Sequence, residues 1–158
     1  MKSRKYVVVL TGMIVLAGAV TAWTNREANA DTNKTARPTV VVYKSPTCGC
    51  CKKWVEHLKE NGFQVSSENV DDLSAIKKRY GIKENIRSCH TAIIGQYIVE
   101  GHVPAQDIKR MLREQPGIRG ISAPGMPLGS PGMEVEISKS FNVLSFDKSG
   151  KIEIYSKH

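Results

Sequence analysis

Apolar and polar positions follow two different periods along this chain, and the changes of period mark its elements. Residues 39–43 are a β-branched and aromatic run, short enough for a buried strand. Ser45-Pro46-Thr47 breaks the run, and a serine or threonine there can cap a following helix. From Cys48 onward the spacing is helical. Cys51, Trp54, Val55 and Leu58 share one face, while Lys52, Lys53, Glu56, Lys59 and Glu60 lie mostly on the other. Gly62, after Asn61, is a good terminator. Residues 63–67 alternate as a second strand would, and Leu73, Ile76 and Tyr80 give residues 71–80 a helical spacing that Gly81 closes. A polar connection holding Arg87-Ser88-Cys89-His90 leads into two β-rich runs, 91–94 and 97–100, joined through Gly95-Gln96 as in a tight hairpin. Pro104 stands where a third helix can begin, Ile108, Met111 and Leu112 form its apolar face, and Pro116-Gly117 ends it. The glycine- and proline-rich residues 117–133 read as a loop too broken for regular structure. Residues 141–146 and 152–155 read as a β-hairpin across Asp147-Lys148-Ser149-Gly150.

Strand, helix, strand, helix, strand, strand, helix, with thiols between the first strand and the first helix, is the order of a thioredoxin-like α/β domain. Such a domain has a mixed sheet flanked by helices, here followed by a Gly/Pro/Met loop and a hairpin. That order makes a spatial prediction: the loop before the third strand packs beside the thiol-bearing helix terminus, so Cys89 and His90 face Cys48, Cys50 and Cys51. Thioredoxin-like proteins ordinarily keep a cis-proline there. This chain has no proline between Pro46 and Pro104, and Cys89-His90-Thr91 takes over the position.

The first thirty residues do not belong to this pattern. Lys2, Arg4 and Lys5 precede an apolar stretch, residues 7–22, that is short for a membrane span, and Ala28-Asn29-Ala30 has the small-x-small form of a cleavage site. Residues 1–30 are therefore expected to be a signal peptide cleaved after Ala30, with an uncleaved anchor as the alternative. No cysteine follows the site to support lipoprotein processing. Residues 31–38 are expected to be a polar tether, and residues 39–158 one domain. The leader implies an exported protein with no membrane attachment after cleavage.

The chain carries 23 Lys and Arg against 15 Asp and Glu. Lys2, Arg4, Lys5, Arg26 and Glu27 fall in the leader, which leaves 19 basic and 14 acidic residues and a net charge of +5. These lysines are scattered, with pairs at Lys52-Lys53 and Lys77-Lys78 read as solvated helix faces. No basic stripe is interleaved with aromatics, as nucleic-acid binding would need. Nor is there a catalytic triad, a pair of carboxylates, a phosphate loop or a nucleotide fingerprint.

Four cysteines in an exported chain can act as staples. Three of them crowd into Cys48-Gly49-Cys50-Cys51, and close neighbours are poor partners for joining distant parts of a fold. A thiol at a helix N-terminus is favoured as thiolate. Two chemistries follow. Cys48 and Cys51 form a C-x-x-C pair in which Cys48 would attack and Cys51 would resolve, although Cys50 and Cys89 offer competing partners. Alternatively the thiols and His90 converge on a metal. Copper(I) takes thiolate and thioether, whereas zinc has no use for methionine, so Met126 and Met133 in the loop favour copper. More than one Cu(I) could be held, with sulfur bridging. Those methionines could equally fill core gaps. His102 could be a ligand, a supporting donor or a surface residue. His57 reads as a boundary residue and His158 as frayed. A structural zinc module for protein contacts is the third class.

The stretches VVYKSPTCGCCKKWVEHL, SCHTAIIGQYIVEGHVPAQDI and PGMPLGSPGME, in that order, resemble the CopG-like family of exported copper-resistance proteins, long catalogued as a domain of unknown function and distinct from the repressors that share the name. The resemblance covers residues 39–135. It implies a thioredoxin-like, copper-binding periplasmic protein that works with other copper-handling proteins, and a copper-linked redox role has been proposed for the family. Carried onto this chain, the C-x-C-C ligands are Cys48, Cys50 and Cys51, and the C-H pair is Cys89 and His90. His102, Met126 and Met133 lie in stretches that also match.

Overall fold

The structure is a computed structural model that describes residues 37–136 and 139–158. The leader and most of the tether expected from the sequence lie outside the described residues. Seven strands form one mixed sheet in the order β2-β1-β3-β4-β5-β6-β7. They are β1 (Thr39–Lys44), β2 (Gln64–Asn69), β3 (His90–Ile94), β4 (Tyr97–Glu100), β5 (Gly120–Ser122), β6 (Asn142–Phe146) and β7 (Ile152–Lys157), with helices α1 (Gly49–Glu60), α2 (Leu73–Arg79) and α3 (Ala105–Glu114). β1 runs parallel to β2 and antiparallel to β3, as a strand-helix-strand unit followed by a hairpin requires. Among the described residues no helix is long and apolar enough to cross a membrane.

Because side chains alternate across a strand, the sheet sorts its apolar residues into two layers. Val40, Val42, Ala92, Ile94, Tyr97, Val99 and Ile121 meet Trp54, Val55 and Leu58 of α1 and Ile108 and Met111 of α3 in the main core. The alternate residues Ile98 and Phe146 join Ile82 and Ile86 in a smaller cluster, with Ile93 and Leu144 packed against it. The inward face predicted for α1, Cys51, Trp54, Val55 and Leu58, is its buried set.

Four expectations are corrected. The loop 117–133 contributes a strand, β5, which pairs parallel with β4 and antiparallel with β6, so the terminal hairpin extends the main sheet. Gly120 hid that strand, because glycine weakens the alternation that marks one. On α2 the buried residue is Lys77, while Leu73, Ile76 and Tyr80 are only partly covered. Lys77 is thus not a solvated charge; it pairs with buried Glu100 of β4. The cap of α1 is Cys48 itself, not Ser45 or Thr47. His158 is not frayed: its backbone exchanges hydrogen bonds with Phe141 (2.9 and 3.0 Å), and its Nε2 lies 2.7 Å from Asp107 Oδ2.

Gly120 sits where a side chain would run into the Ile98 carbonyl and the Phe146 ring. Gly120→Ala is expected to destabilise the protein by about 1–3 kcal/mol through overpacking at the β4–β5 seam, read as a lower urea midpoint. An unchanged midpoint would mean that β5 is not held in the sheet.

Candidate metal centre

Strand β1 delivers the chain into a short turn in which Ser45 Oγ and Thr47 Oγ1 lie 3.1 Å apart. Cys48 follows with extended backbone (φ −72°, ψ 98°), and its Sγ accepts the Cys51 N–H at 3.3 Å. A sulfur therefore satisfies one of the free N–H groups at the helix start, and the first turn carries no acidic side chain to oppose a thiolate. Cys51 points into the main core, Cys50 is half-buried, and Gly49 has open space beside it.

The strand pairing supplies the other half. Lys44 is abreast of His90 across β1 and β3, which places the start of β3 beside the turn that opens α1. The Cys89 Sγ is 3.5 Å from the Cys51 Sγ, and the Cys50 Sγ is 3.5 Å from the Cys48 Sγ. Cys48 and Cys51 are joined as a disulfide, and Cys50 and Cys89 are free. The four sulfurs lie within 4.8 Å of one another. Among the described residues there is no cis peptide bond, so the position ordinarily given to cis-proline is occupied by a trans Cys89-His90-Thr91 segment.

Cys89 also belongs to a second group. Its sulfur is 3.3 Å from His90 Nδ1 and 3.0 Å from His102 Nε2. His102 is fully buried, and its Nδ1 lies 2.8 Å from the Pro131 carbonyl. A carbonyl only accepts, so Nδ1 carries the proton and the Nε2 lone pair faces the sulfur. His90 is also fully buried, between the Trp54 ring (centroids 4.3 Å apart) and the His102 ring (4.9 Å). Its Nε2 has no hydrogen-bond partner. One imidazole nitrogen 3.3 Å from a thiol and another left without a partner, in a set of sulfur and nitrogen donors, fit a soft or borderline metal ion.

The Gly/Pro loop closes over this group from two sides. Gly125 N–H donates to the Arg87 carbonyl at 2.8 Å, and the Ser88 hydroxyl donates to the Gly125 carbonyl. At the other end Gly132 (φ +86°) lies so close that an added Cβ would be 2.7 Å from the Cys50 carbonyl. Next to these anchors in the chain stand Met126, 54% exposed, and Met133, half-buried. His57 stands apart from the sulfurs, with its Nε2 accepting the Ala105 N–H at the start of α3 (3.1 Å). The Pro131 carbonyl and the Gly132 contact escaped sequence reasoning, because backbone atoms of a loop leave no residue signature; the run of glycines and prolines was the only available hint.

Without metal the centre is electrically quiet. Burial pushes the Cys89 thiol up to about 12, with the Cys50 thiol adding to the effect. Burial, then the His102 and Lys77 charges, hold His90 well below the ordinary imidazole range, and burial lowers His102 as well. The resting forms are a protonated Cys89 and neutral imidazoles, so a metal arriving here displaces a proton from sulfur.

Residues 40–88 match the glutaredoxin family, and residues 86–133 match a family described as a protein of unknown function, DUF411. Two solved structures, forms 1 and 2 of a copper resistance protein CopG, are 40% identical to the chain with a TM-score of 0.74. The alignments cover 78% of this chain and 99% of the form 2 chain or 98% of the form 1 chain. The chain belongs to the CopG family. No curated protein matches it. The CopG resemblance and the thioredoxin-like fold expected from the sequence both hold, and the boundary between the two family matches falls just before Cys89, where the two halves of the cysteine cluster meet.

The buried histidines set a pH dependence for this CopG-family chain. Unfolded, His90 and His102 take up protons as the pH falls through their ordinary value of 6.5; folded, they resist. The unfolded state then binds more protons, so stability is complete above that value and is lost as the pH falls below it. For the metal-free protein the slope should reach up to about 2.7 kcal/mol per pH unit for two such groups. Urea unfolding from about pH 7.5 to about pH 5 measures it, and His90→Leu should remove about half.

Proposed function

We propose that this chain is a periplasmic copper-binding protein that sequesters Cu(I) and contributes to copper resistance. The observation that carries this reading is the convergence of four sulfurs within 4.8 Å of one another, with two imidazoles sharing Cys89. That the two related structures are of a copper resistance protein supports it. Reduction of the Cys48–Cys51 disulfide by a two-electron thiol reductant would free all four sulfurs, and thiolates are the donors that Cu(I) prefers. In this reading Cys48, Cys50, Cys51, Cys89 and His90 bind the ion, His102 joins them through Nε2, and Met126 and Met133 supply thioethers at the rim. Sulfur bridging allows more than one ion. Residues 1–30 act as the signal peptide and residues 39–158 as the binding domain. Other periplasmic copper-handling proteins are the partners for transfer, and a copper-linked redox step fits the same residues.

Anaerobic titration of the reduced protein with Cu(I), against a chromophoric competitor, should show tight binding of more than one ion. Cys50→Ser and Cys89→Ser should each weaken it by more than about 100-fold, since even supporting groups around a metal ligand are worth 10- to 100-fold. Weak binding by the parent, or unchanged affinity in both variants, would sink the proposal.

The Cys48–Cys51 disulfide favours a second reading, a thiol-disulfide oxidoreductase acting on exported proteins. Reduction of a protein disulfide by the metal-free, reduced chain separates the two. Turnover that survives Cys50→Ser and Cys89→Ser but is abolished by Cys48→Ser would establish the oxidoreductase. Absence of turnover in the parent excludes the oxidoreductase.

A further inference from the structure

On the face of the sheet opposite α1 lies a buried ion pair that neither reading uses. Glu100, the last residue of β4, is fully buried, and Lys77 of α2 is 6% exposed. The Lys77 ammonium donates to Glu100 Oε1 and to Thr91 Oγ1, the latter at 3.1 Å. The same carboxylate accepts the Ser88 N–H at 2.6 Å and the Thr91 hydroxyl at 2.7 Å. Its two uncharged partners are therefore the residues on either side of Cys89-His90. Gly101, the next residue, donates its N–H to the His90 carbonyl at 3.0 Å, so the end of β4 grips this short segment at three points.

Packing alone does not account for the pair. Taking two charges out of water costs several kcal/mol, and two apolar side chains of similar volume often serve as well or better. What apolar side chains cannot do is accept the Ser88 N–H and the Thr91 hydroxyl. Holding those two groups matters here because no proline stiffens the segment, and ordering a free residue costs about 1–2 kcal/mol of backbone entropy, to be subtracted from any binding that needs it ordered.

We infer that Lys77 and Glu100 are positioning residues for the second half of the metal centre: through Ser88 and Thr91 they hold Cys89 and His90 against the thiols of α1 before metal arrives. The inference rests on the copper-binding reading for its purpose, but the positioning itself can be measured without metal.

In a Cys48→Ser/Cys50→Ser background only Cys51 and Cys89 remain, and the new serine can still cap α1. The rate at which diamide joins them as a disulfide reports how well the two halves are held together. Glu100→Ala should slow this rate by about tenfold or more. Glu100→Gln, which keeps an acceptor for Ser88, should recover part of it. Ile98→Val, a destabilising change in the same layer that leaves the segment's partners intact, should not alter it. In the four-cysteine protein Glu100→Ala should also weaken Cu(I) binding by about tenfold or more. If Glu100→Ala fails to fold, Lys77→Met/Glu100→Leu replaces it, since an apolar pair of similar volume fills the site, and the same losses are expected. The inference is overturned if folded Glu100→Ala, or the double replacement, cross-links at the parental rate, or if Ile98→Val slows it equally. Failure of the four-cysteine parent to bind Cu(I) overturns the copper reading instead, and cross-linking still decides the positioning.

Discussion

The antiparallel pairing of β1 with β3, which sets Lys44 opposite His90, is the constraint on which the centre depends. It brings the first residue of β3 level with the last residue of β1, so the turn into α1 and the turn into β3 emerge side by side. Strand register is tightly specified when both faces are covered, because a slip of one residue would send every side chain to the opposite layer. A slip here would exchange His90, which faces Trp54, with Thr91, which faces Glu100. The apolar alternation of residues 39–44 and 90–94 therefore does more than build a core. It aligns the two halves of a six-donor cluster.

Around that alignment the chain buries a number of polar groups, each with a purpose that can be named. Pro131 fixes the tautomer of His102, Glu100 accepts from both flanks of Cys89-His90, and Cys48 satisfies the N-terminus of α1. His90 Nε2 is different: it is fully enclosed and has no partner. A buried polar atom left unpaired is costly, and in the proposed copper reading a bound ion would offset that cost. Its neutrality, enforced by burial, leaves one of the two ring nitrogens with a free lone pair.

The disulfide and the proposed metal centre would use the same atoms, so they would compete. With Cys48 and Cys51 joined, two of the four sulfurs are unavailable as thiolates. Cys50 and Cys89 each lie 3.5 Å from a different sulfur of that bond, which keeps the cluster compact in its oxidised form. Little rearrangement separates this arrangement from four converging thiolates.

Much of this was legible in the residues. The buried face of α1, the hairpin through Gly95-Gln96, the thioredoxin-like order and the approach of Cys89-His90 to Cys48-Gly49-Cys50-Cys51 follow from spacing and connectivity, which are local and periodic properties. Strand β5 was not legible, because Gly120 earns its place through close backbone approach and not through a side-chain pattern. Lys77 reads as a solvated helix charge and Glu100 only as the end of a strand, since a charge reveals its burial only when its partner, twenty-three residues away, is brought to it. His102 stood among three open alternatives until the fold placed it 3.0 Å from Cys89 and 2.8 Å from Pro131. The sequence by itself determined which donors exist and the order of the elements that carry them. Only the tertiary structure decided that His102 joins them and how Cys89-His90 is held, because those depend on long-range pairing and on loop backbone atoms that every residue type shares.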